Sequence, residues 1–138
     1  MVQVKLDAVV KVKARAEERL LEAFAEAQRG TLAAKEALRQ AEARADASMQ
    51  GGGIAADFSM YEAARGRALE AVKRARAGVD AALQHEEKAR AAWVTARAQV
   101  DAVRRVADAR RDEITKEAET KEQKRADDLT LLRFARAG

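Results

Sequence analysis

The chain has 138 residues with no cysteine, no proline and only five aromatics, and although 48% is hydrophobic, 35 of those residues are alanine. So few large apolar side chains rule out a thick globular core, and the missing thiols rule out disulfides, Cys-ligated zinc, iron–sulfur clusters and thiol catalysis. The net charge of +4 is spread thinly: residues 1–50 carry 9 basic and 8 acidic side chains, 51–100 carry 8 and 6, and 101–138 carry 10 and 9, so no block forms a phosphate track for nucleic acid.

In chain order, Met1-Val2-Gln3-Val4-Lys5-Leu6-Asp7 interrupts its apolar residues with charge and forms no signal-peptide core. No run anywhere approaches the roughly 20 apolar residues of a membrane span, so a cytoplasmic protein without direct membrane insertion is expected. Ala, Glu, Arg and Lys dominate the chain from there to the first glycine run, and helix 1 is predicted over about 3–49. Its apolar positions show a 4-3 alternation through Leu6, Val10, Leu20, Phe24, Ala27, Ala34, Leu38, Ala41 and Ala45, with Lys13, Glu17, Thr31 and Ser48 in the same series.

Gln50-Gly51-Gly52-Gly53 is the one strong stop signal, and a glycine-rich turn is placed at about 50–58. Ser59-Met60-Tyr61-Glu62 reads as a capping box, with Phe58 before it as a hydrophobic staple and Asp57 as an alternative cap. Helix 2 is predicted over about 59–135. Its seam runs Tyr61, Arg65, Ala68, Val72, Ala75, Val79, Ala82, Glu86, Ala89, Trp93, Ala96, Val100, Val103 and Ala107. Two such helices joined by a short turn fold back on one another. The expected fold is therefore all-α, a single antiparallel two-helix coiled-coil hairpin over residues 1–138 with an extended C-terminal helix.

Pairing about the glycine run brings the N-terminus opposite residues 103–107 and leaves some thirty residues with no intramolecular helix to pack on. Lys13, Glu17 and Glu86 fall in roughly one layer on this register, either snorkelling out of a thin coil or fixing its alignment. The acids stand one turn from the bases, as in Glu70 with Arg74, Glu86 with Arg90, Asp112 with Lys116 and Glu117 with Lys121, which suggests solvated i,i+4 pairs. Between Ala109 and Asp128 the only large apolar residue is Ile114, yet the end turns apolar at Leu129, Leu131, Leu132 and Phe134. Exposed on a helix tip, these would mark an interaction site; the alternative is that they fold back on the N-terminus.

No enzymatic centre is legible. His85 stands alone between Gln84 and Glu86, the glycine run lacks the Lys-Ser/Thr of a phosphate loop, and a two-helix coil offers no pocket to desolvate a carboxylate pair. No cofactor and no metal are expected.

The collective pattern resembles the FliJ/YscO stalk proteins of flagellar and injectisome type III secretion. The features are an aromatic pair opening helix 2 (Phe58, Tyr61), Trp93 midway along it, and a charged C-terminal helix running from Asp112-Glu113-Ile114 to Glu119-Thr120-Lys121-Glu122-Gln123-Lys124-Arg125-Ala126-Asp127-Asp128-Leu129. That resemblance implies a fold similar to the coiled coil of the F-type ATP synthase γ subunit. It also implies insertion into the pore of a hexameric secretion ATPase, contact with the cytoplasmic ring of the export gate, and in some members contact with secretion chaperones. Carried onto this sequence, the ATPase-side residues are Lys121, Lys124, Arg125, Asp127, Asp128 and Leu131, and the gate-side residues are Phe58, Tyr61, Arg65 and Leu69. The stalk reading expects a monomer when free. A generic self-associating adaptor or chaperone-like coil is the alternative, and it expects a concentration-dependent dimer.

Overall fold

The computed structural model describes residues 4–50 and 58–137. Two helices account for nearly all of them: α1, Leu6–Gln50, and α2, Phe58–Ala137, packed against each other as an all-α hairpin. The glycine run and Asp57 lie outside the described residues. The α1 boundary falls a few residues later than predicted and α2 starts one residue earlier, at Phe58. That start places Ser59 inside the helix and excludes it as the cap, because a capping residue must sit outside helical geometry to offer its hydroxyl to the first free amides.

At the N-terminus of α1 the geometry supplies a cap that the residue pattern hides. Asp7 donates its amide to the Val4 carbonyl at 3.0 Å, and its Oδ2 accepts the Val4 amide at 3.1 Å. This is the reciprocal half of a capping box, with an apolar residue at the position usually held by Ser or Thr.

The chain divides into two compact units, residues 18–95 and residues 1–17 with 96–138. In the first, the core is thin and made of small side chains: Ala41, Ala45 and Val72 are buried, with Leu38, Ala68 and Ala75 packed against them. Ala27 and Thr31 are buried further along α1. The Thr31 hydroxyl lies 3.1 Å from the Ala27 carbonyl of its own helix and 3.3 Å from the Ala82 carbonyl across the seam, so the one buried polar side chain here is satisfied. Phe24 and Trp93 stack with ring centroids 5.8 Å apart and planes 22° from parallel. Of the predicted seam positions in this unit all are buried or half-buried except Arg65, which is exposed; Ala64 takes its place facing α1. A guanidinium has no partner to accompany it into an alanine seam, so the one-residue shift keeps it solvated.

The second unit buries Val100 and Ala107 and half-buries Leu6, Val10, Val103, Arg111 and Ile114. Its register differs from the expected one. Arg111 Nη2 meets Asp7 Oδ1 at 2.7 Å, and Val4, Lys5 and Leu6 share one groove with Arg110 and Ile114. Residues 4–7 therefore oppose residues 110–114, whereas the expected register places them against about 97–104. Side chains set this pairing, and counting back from the middle of the glycine run misplaces it by about three turns. The common layer expected for Lys13, Glu17 and Glu86 also fails. Glu86 lines a groove with Gln28, Thr31, Leu32 and Lys35, whereas Lys13 and Glu17 belong to the other unit.

Surface ion pairs form mostly at i,i+3 spacing. Arg29 reaches Glu26, Arg39 reaches Glu36, Arg90 reaches Glu87 rather than Glu86, Arg110 reaches Glu113, and Arg111 reaches Asp108. In two of them the guanidinium fork grips both carboxylate oxygens, Arg39 on Glu36 and Arg90 on Glu87. These contacts hold the Glu36 and Glu87 carboxyls below their ordinary range and raise the two arginines.

Candidate interaction surfaces

The gate-side candidates all lie in the unit formed by residues 18–95. Phe58, Arg65 and Leu69 are exposed, and on a helix turning about 100° per residue they share one face. Tyr61 differs from them. It is half-buried, and its hydroxyl donates to the Met49 carbonyl at 2.8 Å, so this side chain ties the start of α2 to the end of α1. Met60, absent from the sequence-derived set, is as open as Phe58 and adds a second large apolar side chain at the same helix start.

The ATPase-side candidates lie in the other unit, on the part of α2 beyond Ile114. Every residue from 115 to 137 is exposed, and the helix continues to Ala137. Hydroxyls of Thr115, Thr120 and Thr130 bond back to the carbonyls of Arg111, Lys116 and Ala126, and Gln123 donates to Asp127 at 3.2 Å. Lys121, Lys124, Arg125 and Asp128 form no ion pair with any described residue. These charges are thus free to meet a partner, and the helix carries them on several faces.

The tip has a more specific character. Leu129, Leu131, Leu132 and Phe134 are all exposed, Phe134 at 79%, and none folds back on the chain. At about 100° per residue they point around the whole circumference, with no empty sector wider than about 140°. A helix laid on a flat partner shows its apolar residues in one stripe; apolar residues on all sides fit a partner that surrounds the helix. Only Leu131 of these four belongs to the sequence-derived set. The other three were legible as an apolar cluster, but their all-round presentation depends on the helix persisting to its last turn.

Among the described residues, no group of three or more His, Cys, Asp or Glu side chains could hold a metal ion, and no helix is long and apolar enough to cross a membrane. His85 is exposed.

Comparison with known proteins agrees with this picture. No curated protein and no solved structure matches the chain. The model of the family described as flagellar FliJ protein matches residues 2–138.

Proposed function

The chain belongs to the FliJ family of flagellar and type III protein export, and from that membership we propose that it is the non-enzymatic central stalk of an export apparatus. Its exposed C-terminal tip enters the pore of the hexameric secretion ATPase and promotes ring assembly and hydrolysis. Its turn-side face, Phe58 with Arg65 and Leu69, contacts the cytoplasmic ring of the export gate, and Tyr61 holds that face in place through Met49. Secretion chaperones are further partners. The stalk works in the cytoplasm, peripheral to a membrane-embedded apparatus.

The observation that carries this reading is the helical tip with apolar side chains on every side and no covering segment among the described residues. A ring of identical subunits presents equivalent walls around an axis, and a helix end with Leu129, Leu131, Leu132 and Phe134 facing outward meets all of them. The exposed charges beneath the tip, Lys121, Lys124, Arg125, Asp127 and Asp128, supply contacts of about 0–1 kcal/mol each. Weak contacts of this kind let one stalk engage several subunits in turn without locking to one.

The sequence contains no cysteine, so one introduced thiol is unique. Leu131→Cys carrying a thiol-specific crosslinker is expected to join the chain to the secretion ATPase of the same genome, and Arg65→Cys to join it to the export-gate ring. Crosslinks in the reverse sense, or none from position 131 to the ATPase, would overturn the assignment.

A further inference from the structure

One face of α2 in the unit formed by residues 18–95 has an order that the stalk reading does not use. Phe58, Arg65, Leu69, Arg76, Leu83, Glu87 and Val94 lie within about 20° of a single line along the helix. All seven are exposed, and the four apolar members remain 63%, 44%, 40% and 46% open at Phe58, Leu69, Leu83 and Val94. Counted outward from Arg76, this face is a palindrome in chemistry. Seven residues either way reach Leu69 and Leu83. Eleven reach Arg65 and Glu87, and eighteen reach Phe58 and Val94. Each apolar residue has an apolar counterpart, Arg65 has the opposite charge to Glu87, and Arg76 stands at the centre.

We propose that this face binds a second copy of the chain, antiparallel, about a two-fold axis at Arg76. A two-fold interface sets the same patch against itself, so residue i meets j and j meets i. The palindrome satisfies that condition with two Leu69–Leu83 contacts, two Phe58–Val94 contacts and two Arg65–Glu87 contacts. A parallel pairing would set Arg65 on Arg65 and Glu87 on Glu87, and like charges so placed select against it. At the axis the two Arg76 side chains approach one another, but each already faces Glu42 of its own α1 at 3.8 Å, which offsets the repulsion. Glu87 holds Arg90 at 2.9 Å within its helix and keeps lone pairs for the incoming Arg65. The interface runs about 54 Å along α2.

The dimer is the form of the chain outside the apparatus. It covers Phe58, Arg65 and Leu69, so self-association and docking through that face exclude each other, and a copy committed to the stalk acts singly. The chain is then a monomer only when dilute or incorporated.

The test is sedimentation equilibrium of the full chain at low salt over a wide concentration range. Wild type is expected to show a monomer–dimer equilibrium. Arg65→Glu and Glu87→Arg each replace two attractive pairs with two repulsive ones, and each is expected to weaken dimerisation about tenfold or more. The double variant Arg65→Glu/Glu87→Arg restores opposite charges and is expected to return within about threefold of wild type. Both positions are exposed, and circular dichroism checks that helicity is unchanged. A wild type that stays monomeric throughout, single variants that dimerise as well as wild type, or a double variant no better than the singles would overturn the proposal. Because the readout is self-association alone, its failure is distinct from failure of the stalk reading.

Discussion

Asp7 takes part in two contacts that together seat the start of α1. Its carboxylate accepts the Val4 amide and meets the Arg111 guanidinium, while Arg111 also reaches Asp108 at 2.8 Å. The backbone amide of Val4 is the larger cause of its lowered pKa, with Arg111 second. A carboxyl whose folded pKa lies below its unfolded value stabilises the fold wherever it is ionised in both states. That contribution is complete above the ordinary carboxylate range and is lost as pH falls through the lowered folded value. Protection factors of the amides near Leu6–Val10, taken relative to intrinsic exchange at each pH, are therefore expected to fall on acidification into that window, and Asp7→Asn is expected to show the lower protection already at neutral pH. Equal protection in the variant and wild type at neutral pH would contradict this role. Asp7 was legible in the sequence only as a charge that breaks an apolar run. Its partners lie at positions 4 and 111, and the second is a contact no local pattern encodes.

At the scale of the element, a 3.5-residue alternation of small apolar side chains was enough to name both seams nearly residue by residue. The seam was legible because each helix carries its own period, and Arg65 alone departed from it. The register between the helices was not legible, since alanine layers differ little in size and give a slip of a few turns little penalty. What distinguishes the observed pairing is specific: Thr31 on the Ala82 carbonyl, the Phe24–Trp93 stack, and Tyr61 on the Met49 carbonyl in one unit, and Asp7 on Arg111 in the other. The helices also carry glycine where packing does not demand it. A methyl added at Gly30 or Gly78 meets nothing within 4 Å, and neither residue has positive φ. Gly30→Ala and Gly78→Ala are each expected to raise stability by about 1 kcal/mol, read as a higher thermal midpoint, because alanine loses less backbone entropy on entering a helix. A lower midpoint in either would show that the site is crowded in a way the open surroundings do not suggest. If the stabilised double variant also supports less export, the glycines serve bending of the coil during work.

For the molecule as a whole, the family and hairpin were legible from collective pattern, while the proposed contact surfaces were legible only in part. The charged candidates Lys121 to Asp128 fall where expected, on an exposed helix, but the uncovered stretch is residues 115–137 and not the last thirty. Its apolar tip owes its meaning to geometry: Leu129, Leu131, Leu132 and Phe134 make a ring-like presentation only because the helix continues through them. The palindromic face centred on Arg76 was invisible for a related reason, since its members sit seven to eighteen residues from the centre and share a side only once helical phase and exposure are known.

Whether the uncovered end of α2 acts on a secretion ATPase is decided by titrating ATP hydrolysis by the ATPase of the same genome with the full chain and with a chain ending at Thr115. That truncation keeps the Asp7–Arg111 pair and the Leu6–Ile114 groove, so the paired helices retain their contacts. Stimulation by the full chain is expected to saturate near one copy per hexamer and to be lost in the truncated chain. Equal stimulation by both, or no effect of the full chain at any ratio, would contradict a stalk that works through its tip.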